Sequence, residues 1–235
     1  SVVIDGAGTV FENKLTTSDV NVQADNVTIR NVRNTASGES LGGFALRHAN
    51  NTLIEDVTIA PAASDPRLLV GIKDIYGDAS ETVIRRANLS GMSTGVQLDC
   101  GLLEDSYIHD LRMQSGDHVN GTTSNGGTSL LTIRHNTVFN SFSQTDAVSL
   151  FQDFGPQANR VIDNNLLAGG GYTIYAGANV GKEGTATQIR VTNNRIARIF
   201  APMGGTFGSV TAYAPGNGNE LVGNIWDETG LPIVP

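Results

Sequence analysis

The chain has little cysteine and little charge, and it lacks any stretch with a sustained helical pattern. Its one cysteine, Cys100, cannot close an intrachain disulfide, so a disulfide framework is excluded and a buried thiol is the expected state. His48, His109 and His135 sit at or beside turns without zinc-site spacing, which leaves no metal set for Cys100 to join. Charged residues make up only 16% of the chain, with 15 Lys and Arg against 23 Asp and Glu and a formal charge of -8. Nucleic acid needs a basic track along its backbone, so it is not an expected partner. An anionic ligand stays open, because a local cationic patch can act within an unfavourable overall field. No apolar run reaches transmembrane length, so no membrane contact is expected, and no targeting segment is recognised. The first residues, SVVIDGAG, lack an initiator Met, in keeping with removal of a leader or a tag, which gives weak support for export.

What is present is glycine, 28 residues, with Asn and Thr spread among short aliphatic runs. Over residues 1–235 that composition predicts a single all-β domain. One unit recurs: SLLTIRHNTV (129–138) shares its plan with TLIEDVTI (52–59), TVIRRANL (82–89), LLEDSYI (102–108), RVIDNNLL (160–167), RVTNNRI (190–196) and ELVGNIW (220–226). Aligning Ile54, Ile84, Leu103, Ile133, Ile162, Val191 and Val222 gives steps of 30, 19, 30, 29, 29 and 31, and Ile29 and Ile4 extend the series backwards at 25 and 25. A short β unit at this period, separated by Asn and Gly, predicts a solenoid of stacked coils.

Period two then sorts the faces. With the aligned aliphatics inward, the next residues form an outward ladder of Arg30, Glu55, Arg85, Glu104, Arg134, Asp163 and Thr192. Opposite charges on neighbouring coils fix register, which makes this ladder scaffold. Asn and Asp at 56, 105, 136, 164, 165, 193, 194 and 224 are assigned to the bends. Insertions at 118–129, 152–159, 175–187 and 199–208 form a rim where binding is expected. The tail LPIVP (231–235) is placed as a shield for the last coil.

A second strand family runs through GFALRH (43–48), VGIKD (70–74), TGVQLD (94–99), DHVNGTT (117–123), DAVSLFQD (146–153), YTIYAG (172–177) and SVTAYA (209–214). Alternation turns Val96/Leu98, Val119/Gly121 and Val148/Leu150 inward. It leaves Gln97, Asn120, Ser149, Thr173, Thr122, Phe151, Tyr175 and Tyr213 outward, with His118, Asp117, Asp146, Gln152 and Asp153 beside them. Hydroxyls, amides and rings on one face suit sugars, which offer apolar faces and hydroxyl rims.

These units resemble the right-handed parallel β-helices of pectate-lyase-like proteins, and HVNGTTSNGG (118–127) with YTIYAGANVGK (172–182) resembles compact bacterial polysaccharide lyases, alginate lyases among them. The resemblance implies an all-β, right-handed parallel β-helix and β-elimination from an acidic polysaccharide by a monomeric, secreted enzyme. That reaction needs a base for the C5 proton, an acid for the leaving oxygen and partners for the carboxylate. Lys182, Tyr175 and His118 are the expected catalytic groups, with the division between base and acid open. Asn120, Gln152, Arg190, Phe151, Tyr213 and Gln97 are the expected substrate-binding residues. No cofactor is expected; calcium, which larger members of this architecture use, stays open through Asp99, Asp117, Asp146 and Asp153. Two other functions stay open. One is a polygalacturonase-type hydrolase built on Asp99, Asp117 and Asp146, and the other is a non-catalytic glycan-binding or structural β-helix.

Overall fold

Val, Ile and Thr at alternating positions favour extended backbone, and Asn, Asp or Gly close each run by accepting positive φ. The computed structural model describes residues 1–36 and 41–233. The outcome is a parallel β-helix with a nine-stranded first sheet and a fifteen-stranded second sheet, every pairing between named strands being parallel. Each coil passes once through the first sheet and once through the second. From the strand Leu53–Ile59 onward the second-sheet pass breaks into two short strands, as in Leu131–Arg134 and Thr137–Asn140.

The break has a repeated backbone cause. Asp56, Asp105, His135, Asn164 and Asn193 all hold φ between 51 and 55, the left-handed region that Asn and Asp tolerate best. The residue that follows turns inward. Asn136, Asn165, Asn194 and Asn224 are buried and form an internal ladder. Each Oδ1 accepts the backbone N–H of the preceding coil, as Asn165 Oδ1 does from Asn136 at 2.9 Å. Each Nδ2 returns a bond to a carbonyl there, as Asn165 Nδ2 does to Ile133 at 2.9 Å. The predicted bend residues are therefore of two kinds, one shaping backbone and one satisfying buried polar groups.

The aliphatic stack and the charge ladder follow the expected register from Ile29 to Val191, with Arg30, Glu55, Arg85, Glu104, Arg134, Asp163 and Thr192 paired in sequence. The ends differ from the sequence alignment. Val191 pairs with Leu221, so Val222 points out and is 61% exposed. Ile4 belongs to the first sheet opposite Val22, and Phe11 lies under Ile29. One residue of slip at an end strand reverses its faces. Leu231 to Ile233 fold back on the strand Ile225–Trp226, with Trp226 N–H donating to Leu231 O at 2.9 Å, so this part of the tail covers the last coil. Residues 234–235 of that predicted shield lie outside the described residues.

The first sheet carries the larger correction. Along the strand Met92–Gln97, both Thr94 and Gln97 reach the surface cavity described below, so the outward positions are three apart. The two residues between them turn inward together. Val96 is fully buried, and a Cβ added at Gly95 would stand 2.5 Å from Ile108 Cγ2 of the second sheet. The next coil repeats this: Asn120 and Thr123 face out, while a Cβ at Gly121 would meet Val138 Cγ1 at 2.2 Å. Only glycine fits there, because the sheets approach closely. Thr122, expected outward, takes the inward place opposite Val96 and Val148.

Candidate functional site

The bulged strands stack their outward residues into two columns. One contains Thr94, Asn120, Asp146 and Tyr172, and the other contains Gln97, Thr123, Ser149 and Tyr175. Within the columns, Asn120 Nδ2 donates to Thr94 Oγ1 at 3.3 Å and Ser149 Oγ donates to Thr123 Oγ1 at 2.9 Å. A cavity of about 330 Å³ opens over them, lined by Thr94, Gln97, Asn120, Thr123 and Asn125, with His118, Thr145, Phe151 and Asp153 around the rim. Gln97 also lines a neighbouring cleft of about 690 Å³ that contains Lys73, Asp99, Tyr76 and Phe154. The two adjoin at Gln97.

Aromatic rings continue the wall. Phe151 packs on Tyr175 with centroids 5.2 Å apart, Tyr175 meets Tyr172 edge-on at 5.6 Å, and Tyr172 meets Phe207 at 6.0 Å. Burial raises Tyr175 above the ordinary phenol range. Its hydroxyl is thus held in the proton-donating form.

The structure brings together His118, Asn120, Gln97 and Phe151 of the predicted site, with Tyr175 one ring contact away. Lys182 stands apart from the cavity lining. Its ammonium donates to the Gln152 carbonyl at 2.8 Å, while Gln152 Nε2 donates to Thr185 Oγ1 at 2.7 Å and its Oε1 accepts from Asn179 N–H at 3.1 Å. Lys182 and Gln152 therefore brace the loop behind Phe151. Arg190 lies on the second sheet between Val161 and Glu220 in register. Tyr213 donates its hydroxyl to Asn219 O at 3.3 Å beyond the groove.

The aspartates occupy separate environments. Asp117 accepts two bonds from Arg67, at 2.6 and 2.8 Å, and one from Ser93 at 2.7 Å. The guanidinium holds its carboxyl down to about 2. Asp99 Oδ1 accepts from Ser124 Oγ and Asn125 N–H, both at 2.8 Å. Among the described residues, no three His, Cys, Asp or Glu side chains gather closely enough to hold a metal ion. Asp146 is fully buried, neither carboxylate oxygen has a hydrogen-bond partner, and desolvation pushes it well above the usual carboxylate range. Ser149 pulls it the other way, although the Ser149 hydroxyl gives its own proton to Thr123.

Thr94, Thr123, Asn125 and Thr145 were outside the predicted site, and Asp153 was expected only beside that face and for calcium. Their signal was the constant step of 26 residues that sets Thr94, Asn120 and Asp146 in one column, masked by the assumption of strict alternation. No family model, curated protein or solved structure matches the chain.

Proposed function

We propose that the chain acts on an acidic polysaccharide, cleaving a uronic-acid polymer by β-elimination in the first-sheet groove. One observation carries the reading: a floor of amides and hydroxyls adjoins the rings Phe151, Tyr175, Tyr172 and Phe207. Such a surface matches both the apolar face and the hydroxyl rim of a pyranose. His118, which lines the cavity, takes the C5 proton as general base. The electron pair left at C5 is delocalised into the adjacent carboxyl group, which accepts bonds from the amides of Gln97 and Asn125. It then forms the C4–C5 double bond as the C4–O bond breaks, and Tyr175 supplies a proton to the leaving oxygen. Lys182, tied to the Gln152 carbonyl, serves this reading as a loop brace. A secreted setting fits a polymeric substrate of this kind.

A second reading, a glycan-binding β-helix without catalysis, draws on a different observation. Among the described residues lining the 330 Å³ cavity there is no lysine or arginine, so amides alone would neutralise the carboxylate. The test is a panel of alginate, polygalacturonate, glucuronan and neutral glycans, with and without chelator. Unsaturated product detected by ultraviolet absorbance supports the lyase. Reducing ends without that absorbance indicate a hydrolase, and binding without product supports the second reading.

A further inference from the structure

Asn120 and Asp146 are register partners on adjacent coils, in the outward column that floors the groove. Asn120 Nδ2 faces the preceding coil, bonding Thr94 Oγ1 at 3.3 Å and its own strand at His118 O at 3.4 Å. That orientation leaves Asn120 Oδ1 on the side of Asp146, and it is buried without a donor. Asp146 Oδ1 and Oδ2 are buried without one as well. Buried acceptors on register partners that lack a donor are costly in a dry site, and one added proton gives the pair a donor as well as an acceptor. The preceding residue adds a second sign of a constrained site: Thr145 is β-branched yet holds φ +51, and it lines the cavity.

We propose that Asp146 is a neutral carboxylic acid whose proton is donated to Asn120 Oδ1, making it the positioning residue that fixes the Asn120 amide in the groove. The proposal rests on the reading of the groove as the ligand site. With Asp146 holding the carbonyl end, the amide presents one fixed face to a saccharide. Loss of the proton again leaves these acceptors without a donor, so ligand affinity falls as pH rises through the Asp146 transition. The other titratable side chains along these columns are His118 on the coil before and Tyr172 and Tyr175 on the coil after. None of these is a lysine or arginine, so none supplies a fixed cation beside an ionised Asp146.

The experiment joins a carboxyl-carbon NMR titration of the whole protein to binding of short alginate and polygalacturonate oligosaccharides by wild type, Asp146→Asn and Asp146→Ala. One aspartic carboxyl is expected to remain protonated at neutral pH, and that signal is absent in Asp146→Asn. Asp146→Asn retains affinity and loses the decline at high pH, because its amide donates to Asn120 without titrating. Asp146→Ala weakens binding about tenfold, the worth of one hydrogen bond. The proposal is overturned if every aspartic carboxyl titrates in the ordinary range. It is equally overturned if Asp146→Asn weakens binding as much as Asp146→Ala, which would mean an ionised Asp146 accepting from a reversed Asn120 amide. If no oligosaccharide binds the wild type, the functional reading falls while the carboxyl spectrum still decides the protonation state.

Discussion

Replacing Asn165 by Ala should destabilise the β-helix more than any loss of apolar area at that position would. Asn165 Oδ1 accepts from Asn136 N–H at 2.9 Å and from Asn136 Nδ2 at 3.0 Å. Its Nδ2 donates to Ile133 O at 2.9 Å and to Asn194 Oδ1 at 2.9 Å. The truncation removes all four bonds and strands the Asn136 N–H, which is backbone in a dry interior. An orphaned buried group costs about 1–3 kcal/mol, while Asn136 Nδ2 keeps its bonds to Leu103 O and Arg134 O. A total of roughly 3–5 kcal/mol follows from these losses. Asn165→Ser provides an internal control, because the chain already uses serine at this ladder position. Ser106 Oγ accepts from Ala87 N–H at 3.1 Å. The serine should recover the acceptor for Asn136 N–H and lie between Ala and wild type. Urea denaturation followed by circular dichroism gives the ranking through the midpoint and slope. Because solenoid coils contact only their neighbours, a lower slope would mark separation into two unfolding units. An Asn165→Ala loss below about 1 kcal/mol, or a serine no better than alanine, would refute the assignment of the ladder as a stabilising element.

Further outcomes follow from four particular residues. The folded state keeps the Asp146 proton that the unfolded chain releases near about pH 4. Stability is therefore fully present below that pH and falls with rising pH, by up to about 1.4 kcal/mol per pH unit, until the folded group ionises; Asp146→Asn should flatten that fall in thermal melts across pH. Asp117 has the opposite sign. Held at about 2 by Arg67, it contributes roughly 2 kcal/mol above the ordinary carboxylate range, lost as pH falls through about 2. Both side chains of that ion pair are about a tenth exposed, 11% and 8%, so Asp117→Ala should cost about 3–5 kcal/mol in chemical denaturation. Tyr175→Phe should keep oligosaccharide binding while lowering turnover about 10²-fold or more if its hydroxyl supplies the leaving-group proton, whereas Phe151→Ala should weaken binding itself by about 1–3 kcal/mol in calorimetry.

The solenoid was legible because its cause repeats. Ile133 recurs every thirty residues or so as the same inward position, Arg134 as the same outward one, and Asn136 as the same buried ladder rung. Alternation holds up to the bend in each second-sheet pass, so the ionic ladder from Arg30 to Thr192 could be read in register. The first sheet departs from alternation through its glycines. Gly95 and Gly121 allow two consecutive inward residues, so a period-two reading places Gly121 inward as found but sends Thr122 outward and misses the outward Thr123. The groove was partly legible: His118, Asn120, Gln97 and Phe151 do share a cavity. Lys182 was drawn toward it by its Gly-flanked loop, but loop sequence does not specify where a long flexible side chain lands. The weight of Asp146 was hidden for a related reason, since nothing local distinguishes a carboxyl beside a groove from one sealed beneath it.

The most direct test of the proposed activity is the ultraviolet absorbance of product from alginate, polygalacturonate and glucuronan, measured in parallel for wild type and His118→Ala. The account predicts unsaturated product from at least one of these polymers and a loss of about 10²–10⁴-fold in the variant, with oligosaccharide binding retained. Absence of unsaturated product from every uronic-acid polymer, or an undiminished rate without the His118 imidazole, would contradict it.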